Sequence, residues 1–504
     1  MKKFSKKLIS YGAFCAFFAS LFVFGFILLE FLEDENSIID LKIILLCSFI
    51  AIVVFVVIMI YLILFYKLSG YELNETQIIC KRGVLFKKKS MLDYSKINSI
   101  NKRQGIIQKL FGISTLLVDS GSTTRSHQAE IMIIENTRVV EELYSKLKSI
   151  DKANPYLALD DKDKSYDDDL SQAKENLYEF NSKSKIIYTF VNSIINLFLS
   201  IFVFLIMFTI LYLLYLFPEE NEEPITLTMV IAISISVYGI FILGGILVNL
   251  FKAFIGYYNF KITKINNMIN VEYGLFVNNQ NSFDLSKVRG VIISQGIFQR
   301  LFKLATIKVE VIGYVDNANN NNNYSIGVLI PLCRLKDASM YLENIIPSHI
   351  PVKQNSKSKA FFPFISWNTL IALIALVLCL IPSIFISIAY NSYLALIIST
   401  SIIVGIFVIY ELILLLNSIF KFYNQDITFD DENITIYNGG FIKSSTIIKK
   451  SNIIAIEDYT TSYRAKKRIY TYIIHFHTNA LSNTKKVSIV DSEFKEKLLS
   501  CMKY

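Results

Sequence analysis

Six long apolar segments stand out in the pattern of hydrophobic and polar positions, and each is long enough to cross a lipid bilayer as a helix. A bilayer core of about 30 Å requires about 20 apolar residues of helix. The segments come in three pairs with short connections, so each pair predicts an antiparallel helical hairpin. The six predicted spans are Leu8–Leu29, Ile43–Phe65, Ile187–Phe217, Ile225–Phe251, Ile365–Ile388 and Leu394–Phe420.

A soluble segment with a hydrophobic period of two follows each hairpin. In the first, short runs such as Ile78–Cys80 and Ser114–Val118 are separated by turn residues, which is typical of β-strands. This segment ends in Thr137–Ile150, where apolar residues recur at helical spacing. We therefore predict several antiparallel strands and one closing helix in each segment. The other predicted strands are Tyr71–Leu73, Gly83–Phe86, Ser90–Leu92, Ile97–Ile100 and Ala129–Ile134, and the other closing helices are Leu335–Ile346 and Asp491–Met502.

Hairpins and soluble modules alternate along the chain, which predicts seven parts. The part at 151–185 has six aspartates between positions 160 and 169, so we expect a solvated tether, with a short helix at Leu170–Phe180. Asn317–Asn323 is predicted to be a loop inserted in module two. The predicted parts are hairpin 1 (1–65), module one (66–150), the acidic linker (151–185), hairpin 2 (186–256), module two (257–350), hairpin 3 (351–421) and module three (422–504).

Modules one and two are copies of one sequence. Gly83–Ile113 aligns without a gap on Gly274–Leu304, with ten identities where chance gives about one match in fifteen to twenty positions. The identical pairs are Gly83/Gly274, Asp93/Asp284, Ser95/Ser286, Lys96/Lys287, Gln104/Gln295, Gly105/Gly296, Ile106/Ile297, Gln108/Gln299, Leu110/Leu301 and Phe111/Phe302.

Module three keeps the frame of this repeat with less of its sequence. Gly440 is predicted to correspond to Gly83, and Ser451–Ile456 to Ser95–Ile100. Where the first two modules have Gly-Ile-x-Gln-Lys/Arg-Leu-Phe, module three has Thr461–Ile469, which contains several cations. The chain therefore consists of three copies of a hairpin followed by a module.

The composition favours lipid as the main surroundings of the chain. Of the 504 residues, 53% are hydrophobic and 18% are charged, whereas an ordinary soluble domain has about 25% charged residues. The six cysteines contain no CxxC pair, which favours buried free thiols over a zinc site or a disulfide framework. We expect no metal and no cofactor.

Lysines flank the predicted spans on one side of the membrane. Four of them precede the first span, whereas the connections inside the hairpins contain only Lys42. Because Lys and Arg are enriched in cytoplasmic loops, we expect both termini and all three modules to lie in the cytoplasm. This placement accounts for the net charge of +9, and no nucleic-acid partner is expected. The flanking lysines are Lys2, Lys3, Lys6, Lys7, Lys67, Lys183, Lys185, Lys252, Lys353, Lys357, Lys359 and Lys421.

Paired membrane helices and a strand-rich module with Ser-Lys-Ile/Val and Gly-Ile-x-Gln-Lys/Arg motifs resemble the second bacterial pleckstrin-homology-like (PH-like) domain family. The three-copy arrangement is similar to the YdbT-like membrane proteins of Gram-positive bacteria. The resemblance implies an α+β protein of the bacterial cell membrane, in which each hairpin precedes a PH-like fold of two roughly orthogonal sheets and a C-terminal helix. In module three, Ala465 and Lys467 replace the expected Lys/Arg and Phe.

The resemblance implies a binding protein, because the family has no established reaction. We expect a non-enzymatic multi-pass scaffold whose modules bind lipid headgroups or partner proteins, in envelope maintenance or in defence against membrane-active peptides. The protein partner that it implies is a smaller single-hairpin PH-like membrane protein or a second copy of the chain. The competing hypothesis is a transporter or lipid-handling channel formed by the six helices. The sequence has no Gly-x-Ser-x-Gly elbow, P-loop or His-Glu-x-x-His motif.

A basic cluster in module one is the first candidate site. Its members are Lys81, Arg82, Lys87, Lys88 and Lys89, on either side of a predicted turn. Close to the inner leaflet, each cation would contribute about 1 kcal/mol to the binding of anionic headgroups. The alternative is a solvated hairpin that only adds to the positive-inside bias, and both interpretations stay open.

The repeated Gln-Lys/Arg pair is the second candidate, at Gln108 and Lys109 in module one and at Gln299 and Arg300 in module two. In a functional interpretation, the amide and the cation line a groove for a headgroup or a partner. In a structural one, they form hydrogen bonds at an irregular corner of the backbone. The structural interpretation also expects four apolar side chains to pack inward, namely Leu110, Phe111, Leu301 and Phe302.

Two smaller candidates remain. Glu411 is the only acidic or basic side chain well inside a predicted span, so it is a candidate for proton or ion coupling or for a hydrogen bond between helices. His475 and His477 project from the same face of a predicted strand, but zinc requires at least one more ligand, so an exposed strand face is favoured.

Overall fold

The computed structural model of the chain divides into two compact units. Unit 1 consists of Met1–Lys185, Leu250–Lys287 and Ile312–Ser325, and unit 2 of Ile186–Asn249, Val288–Val311 and Ile326–Tyr504. The structure describes residues 1–32, 41–97, 99–120, 131–149, 175–216, 226–265, 267–311, 326–352, 393–460, 462–466, 470–476 and 483–490, with a few helical residues between 374 and 381.

The described elements follow one another along the chain as follows. Up to the end of module one they are β1 (Lys2–Lys3), α1 (Lys7–Leu32), α2 (Leu41–Leu68), β2 (Gly70–Leu73), β3 (Gln77–Arg82), β4 (Lys88–Asp93), β5 (Ser99–Gln104), α3 (Ile106–Leu110), β6 (Ile113–Asp119), β7 (Ile131–Asn136) and α4 (Thr137–Ser149). The next are β8 (Glu175–Glu179), α5 (Ser182–Leu216), α6 (Leu227–Phe251), β9 (Lys261–Ile265), β10 (Met268–Tyr273), β11 (Asn278–Asp284), β12 (Val288–Gln295), α7 (Ile297–Leu301), β13 (Leu304–Val311), β14 (Ile326–Arg334) and α8 (Ala338–Ile345). The last are α9 (Tyr393–Asn424), β15 (Asp426–Phe429), β16 (Asn433–Asn438), β17 (Lys443–Lys449), β18 (Ile453–Tyr459), α10 (Ser462–Lys466), β19 (Tyr470–Phe476) and β20 (Asn483–Val490).

Long apolar helices occupy most of the predicted spans. α1, α2, α5, α6 and α9 coincide with five of them, and the remaining one, Ile365–Ile388, lies largely outside the described residues. Four described helical stretches are long and apolar enough to cross a membrane, so the full set of six is not confirmed. They are Lys7–Ile27, Ile44–Leu68, Leu227–Gly256 and Phe407–Asn424.

Contacts between the helices show that α1 and α2, and likewise α5 and α6, run antiparallel. Gly12, early in α1, lies so close to Leu62, late in α2, that an added Cβ would approach the leucine side chain to 2.6 Å. In the next pair, Ser193 and Asn196 of α5 bond in turn to Asn249 and Gly245 of α6, each at 3.2 Å, so rising residue numbers in α5 meet falling numbers in α6. Gly12 and Gly245 allow the close approach of the neighbouring helix at these positions.

Module one is a two-layered β structure closed by a helix. Strands β1 to β4 form one antiparallel sheet in that order, and β5, β6 and β7 belong to a second. Alternate side chains of both sheets meet those of α4, which has apolar residues at helical spacing as predicted. This core includes Tyr71, Ile78, Leu92, Tyr94, Ile100, Leu116, Val118, Ile131, Ile133, Val140 and Leu143.

The second sheet of module one continues into module two. Strand β5 pairs with β11, and the sheet has the order β7-β6-β5-β11-β10-β9-β8. In this antiparallel joint Gln104 lies opposite Asn278, and Ile100 lies opposite Ser282. The first three strands of module two therefore extend a sheet that begins in module one, all within unit 1.

The same arrangement recurs in unit 2 between modules two and three. Strand β12 pairs with β17 in a sheet of order β14-β13-β12-β17-β16-β15. Gln295 lies opposite Lys443, and Val291 lies opposite Ile447. Because Gln104 and Gln295 are equivalent in the repeat, the two joints have the same register.

A short strand that precedes the hairpin also joins the module that follows it. In module one, β1 pairs with β2, and in module two, β8 pairs with β9. The short helix expected at Leu170–Phe180 is therefore wrong over Glu175–Glu179, and residues 170–174 lie outside the described part. The physical reason is tertiary: Tyr178 is buried against the sheet, and pairing with its edge outweighs local helix propensity.

In module three, β15 to β17 and the separate sheet β18-β19-β20 share one core. This core contains Ile427, Ile434, Ile436, Ile448, Tyr472, Ile474 and Phe476. The predicted closing helix Asp491–Met502 lies outside the described residues, as does the predicted loop Asn317–Asn323.

The repeated glycine forms a tight turn, which corrects two predictions. Gly83 has a φ of 107°, and a Cβ added there would lie 2.0 Å from the carbonyl oxygen of Phe86. Gly83–Phe86 is consequently a turn between β3 and β4 and not a strand. In module three the same conformation, with a φ of 131°, belongs to Gly439, so Gly439 and not Gly440 corresponds to Gly83.

Candidate functional site

The basic cluster of module one lies on the β3–β4 hairpin. Lys81 is directly opposite Lys89, and Arg82 is directly opposite Lys88, so like charges face each other across the strands. Such pairs destabilise a hairpin in the absence of an anion. All five cations of the cluster therefore lie on one element, where an anionic partner would relieve the repulsion.

Two large apolar side chains form the tip of this hairpin. Leu85 is 84% exposed and Phe86 is 91% exposed, between the cations of the two strands. Apolar tips are repeated in module two, at Leu275 and Phe276, and in module three, at Ile442. The cations are not repeated, because module two has asparagine and glutamine where module one has Lys87, Lys88 and Lys89. The apolar tip is thus the general feature, and the basic cluster is specific to module one.

The repeated glutamines hold the start of a short helix. Gln108 Oε1 accepts a hydrogen bond from the backbone N–H of Gly105 at 3.1 Å, and its Nε2 donates to Thr115 Oγ1 at 3.1 Å. In module two, Gln299 makes the equivalent bonds, at 2.9 Å to the N–H of Gly296 and at 3.3 Å to Thr306. The partners are therefore an N–H group and a hydroxyl, and the amide is used within the module.

The cations beside these glutamines differ between the modules. Lys109 is exposed on α3. Arg300 lies with its guanidinium 5.1 Å from the ring centre of Phe420, and its Nη2 is 3.4 Å from Asn424 Oδ1. Arg300 thus connects α7 to the end of α9. The pKa of Lys443 is lowered mainly by desolvation on burial, and the positive charge of Arg300 lowers it further.

Of the four apolar side chains expected to pack inward, the two leucines are exposed and the two phenylalanines contact the long helices. Leu110 is 73% exposed and Leu301 is 72% exposed, so the expected inward packing is wrong for both. The ring of Phe111 contacts Tyr11 of α1, and the ring of Phe302 contacts Phe190 of α5. The reason is that each short helix has little more than one turn, and the side chain that it directs to the sheet is the glutamine, which bonds to Thr115 of β6 or Thr306 of β13.

A cavity that the sequence did not indicate lies in unit 2, where α5 meets the end of α7. Its volume is about 560 Å³. Apolar side chains from the first turns of α5 line it, together with three exposed cations. The lining residues are Ile187, Phe190, Val191, Phe302, Lys303, Leu304, Arg334 and Lys336. An apolar wall beside three cations suits an amphiphile with an anionic head.

The backbone of Lys303 is left-handed, with a φ of 54°. The equivalent residue of module one is Gly112, with a φ of 62°, and a Cβ added there would lie 3.4 Å from Lys7 Nζ. A lysine ammonium therefore lies near the foot of the preceding long helix in both modules, from different positions in the sequence. The one sequence signal for Lys303 is its place directly after the Gly-Ile-x-Gln-Arg-Leu-Phe segment.

The remaining candidates are separate from these surfaces. Glu411 lies in α9, and its Oε1 is buried without a hydrogen-bond partner among the described residues. His475 Nε2 lies 3.1 Å from Glu457 Oε1 on the neighbouring strand, and His477 is outside the described residues. Within the described part of the chain, no group of three or more His, Cys, Asp or Glu side chains is arranged to hold a metal ion.

Comparison with known sequences identifies the modules. The family model described as "Bacterial PH domain" matches residues 21–148 and 194–348, which is more than half of the chain. The chain belongs to the bacterial PH domain family. The matched ranges contain all but the last two residues of each of modules one and two, and with them the basic hairpin, both repeated glutamines and five of the eight residues that line the cavity.

A named relative of this PH-domain chain is a membrane protein. The UPF0699 transmembrane protein YdbT of Bacillus subtilis (strain 168) is 20% identical over 289 residues. The alignment covers 55% of this chain and 56% of the relative, so the chain spans just over half the length of that protein. Together with the apolar helices, this match shows a YdbT-like membrane protein with bacterial PH domains.

Proposed function

We propose that this chain is a non-enzymatic, multi-pass membrane protein whose PH domains bind anionic lipid headgroups at the cytoplasmic leaflet. Membrane association and the PH domains are given by the family match, the relative and the apolar helices. Lysines next to the spans support cytoplasmic termini and modules. Lipid binding is the function that the geometry of the cavity and of the basic hairpin supports best.

The cavity at the foot of α5 carries the proposal. Its apolar wall is formed by Ile187 and Phe190, at the point where the chain enters a predicted span. The cations of Lys303, Arg334 and Lys336 surround the same space. A lipid would place acyl carbons against the wall and its phosphate among the cations. Each Lys or Arg near an anionic surface contributes about 1 kcal/mol to the binding free energy, so three cations together contribute about 3 kcal/mol to the binding of an anionic headgroup.

The β3–β4 hairpin supports the same function from unit 1. Leu85 and Phe86 are apolar side chains at a tip surrounded by cations, which is the composition of a segment that inserts into a membrane surface. Insertion would remove both side chains from water. Anionic headgroups would also lower the repulsion between Lys81 and Lys89.

The test is retention of phosphatidylglycerol by the full-length protein in detergent, measured by native mass spectrometry. The variant has Lys303→Ala, Arg334→Ala and Lys336→Ala together. We expect it to retain at least ~10-fold less phosphatidylglycerol than the wild type, because three cations are lost. Phosphatidylcholine, which has no net charge, is the matched lipid.

A charge-matched variant separates the cavity from the general positive charge. Lys96→Ala, Lys264→Ala and Lys287→Ala remove three cations outside the cavity and should leave retention within about twofold of the wild type. Equal retention by the cavity variant and the wild type would contradict the proposal. So would equal losses in the two triple variants.

Transport by the helices is the second candidate, because one observation favours it. Glu411 Oε1 is buried in α9 without a hydrogen-bond partner among the described residues, and an intramembrane carboxyl is often functional. Ion or lipid flux through vesicles containing the full-length protein, compared with Glu411→Gln, tests this function. Flux that the substitution abolishes would favour transport over headgroup binding as the main activity.

A further inference from the structure

Two strand joints inside the chain follow one rule. In each, the strand after the glycine turn of one module pairs with the first strand of the second sheet of the module before it. The rule covers β11 on β5 and β17 on β12. Both joints are antiparallel and have the same register, with Gln104 opposite Asn278 and Gln295 opposite Lys443.

In this sequence no module precedes module one and none follows module three, so in the part of the chain that the structure describes one strand of each of these two modules has no joint and lies at the edge of its sheet. Strand β4 of module one is equivalent to β11 and β17, and it is the last strand of the sheet β1-β2-β3-β4. Strand β18 of module three is equivalent to β5 and β12, and it is the first strand of the sheet β18-β19-β20. Among the described strands, none pairs with the outer edge of either.

Burial at one repeated position shows what the joint does. Ser282 of β11 and Ile447 of β17 are both 0% exposed. The equivalent residue of β4 is Met91, which is 59% exposed. A large apolar side chain therefore stands in water at the position that the joint buries in the other two modules. Burying such a side chain is favourable, because it removes apolar surface from water.

Applying the shared register to the two outer strands pairs residues that suit each other. Met91 would lie opposite Ile456, because these residues are equivalent to Ser282 and Ile100. Lys89 would lie opposite Asp458 in the same way. An apolar pair and an opposite-charge pair directly across two antiparallel strands both stabilise a sheet. We propose that β4 of one copy of this chain pairs with β18 of a second copy, in the register of the internal joints.

Charge selects this head-to-tail pairing over pairing of like edges. Strand β4 carries Lys88 and Lys89, and β18 carries Glu457 and Asp458. Two β4 edges would bring lysines together, and two β18 edges would bring carboxylates together, which is unfavourable in both cases. Backbone hydrogen bonds along the paired edges supply affinity, and the side chains supply the choice of edge.

The joint is heterologous, because the two surfaces that meet are different. Every added copy again exposes one β4 and one β18, so association continues until a ring closes or an open row forms. Both edges belong to modules that the chain itself ties to apolar helices, so the copies would lie side by side in one membrane.

Charge reversal in the full-length protein tests the pairing. The oligomeric state in detergent is measured by native mass spectrometry for the wild type, Lys89→Asp, Asp458→Lys and the variant with both substitutions. We expect the wild type to form dimers or higher multiples, and each single variant to associate at least ~10-fold more weakly. The double variant restores an opposite pair and should associate like the wild type.

Two further variants test whether the association depends on the proposed register of β4 and β18. Lys96→Asp, on an exposed lysine just beyond β4, is the matched control and should associate like the wild type. Met91→Asp should associate more weakly than Lys89→Asp, because the joint would bury the new carboxylate. A monomeric wild type at micromolar concentration would overturn the proposal, and so would a double variant no better than the single ones.

Discussion

Lys303 and Gly112 occupy the same position in two copies of one module, and both have a left-handed backbone, with φ of 54° and 62°. Glycine adopts this conformation without strain, whereas a residue with a Cβ does so at a cost of about 1–2 kcal/mol. In module two the residue at this position is Lys303, which lines the cavity. In module one the residue is Gly112, and the ammonium group next to it belongs to Lys7. The strained lysine is therefore expected to be useful for binding and unfavourable for folding.

The first prediction follows from this conflict. Lys303→Gly should raise the free energy of unfolding by up to about 1 kcal/mol, because it relieves the backbone, and should weaken retention of phosphatidylglycerol. Lys303→Ala should weaken retention equally without stabilising the protein. Thermal unfolding in detergent and native mass spectrometry give the two quantities. A lower melting temperature for Lys303→Gly than for Lys303→Ala would contradict the assignment of strain.

The turn glycine of module one gives the second prediction. Gly83→Ala should destabilise the β3–β4 hairpin by about 2 kcal/mol, because its φ is 107° and the new Cβ would lie 2.0 Å from the carbonyl oxygen of Phe86. Gly105→Ala is the matched control, since no atom lies within 4 Å of its Cβ position, and should change stability by less than about 0.5 kcal/mol. Limited proteolysis and thermal unfolding measure the stability of the two variants. Equal stability of Gly83→Ala and Gly105→Ala would contradict the left-handed conformation of Gly83.

The third prediction concerns the joint between modules one and two. The hydroxyl of Tyr144, on α4, shares a hydrogen bond with Ser282 on β11, whose hydroxyl donates to Asn270 Oδ1. Burial raises the pKa of Tyr144 to about 12, as expected for a phenol held away from water. Tyr144→Phe should cost about 1 kcal/mol of unfolding free energy.

A double-mutant cycle isolates that contact. Ser282→Ala also removes the bond to Asn270, so alone it should cost more than Tyr144→Phe. The two substitutions together should cost less than the sum of the single losses, because the bond between Tyr144 and Ser282 is common to both. Strictly additive losses in thermal or chemical unfolding would show that the two hydroxyls are not coupled.

The fourth prediction is a pH dependence from a buried histidine. His349 is 0% exposed, and desolvation by burial, with the nearby ammonium of Lys449, lowers its pKa from 6.5 to about 4. Because the unfolded chain binds the proton more readily, this histidine contributes stability above pH 6.5 that is lost as the pH falls towards 4. The loss amounts to roughly 3 kcal/mol.

Non-titrating and charge-removing substitutions check this prediction. His349→Asn should remove this part of the decrease in melting temperature between pH 7 and pH 4. Lys449→Gln should raise the pKa of His349. The protein should then lose less of its unfolding free energy at a given acidic pH. Identical pH profiles for the wild type and His349→Asn would show that the imidazole does not control this transition.

Much of the fold follows from local pattern. The strands at Ile78–Cys80 and Ser114–Val118 and the helix at Thr137–Ile150 are predicted because their periods of two and 3.6 are strong and uninterrupted. The long apolar segments are predictable for a similar reason, since the bilayer sets their length. The repeat also makes the Gly83 and Gln108 positions equivalent to those of module two.

Pairing between modules could not be predicted from such patterns. Strand β11 has the same alternation whether its partner is β5 or a strand of its own module, because partner choice depends on contacts far apart in sequence. The cavity was missed for a related reason: Lys303 and Arg334 are distant in the chain, and only the pairing of β13 with β14 brings them together. Gly83–Phe86 was misassigned because an apolar run in a turn resembles a short strand.

The claim on which the proposed function depends is that the PH domains face the cytoplasmic leaflet. Cysteine accessibility tests it directly, with Leu85→Cys at the highly exposed hairpin tip and a membrane-impermeant maleimide. The described native cysteines are buried or half-buried, so the unsubstituted chain provides the background. We predict labelling of Leu85→Cys in inside-out vesicles and none above background in intact cells. Labelling in intact cells would place the module outside and contradict the account.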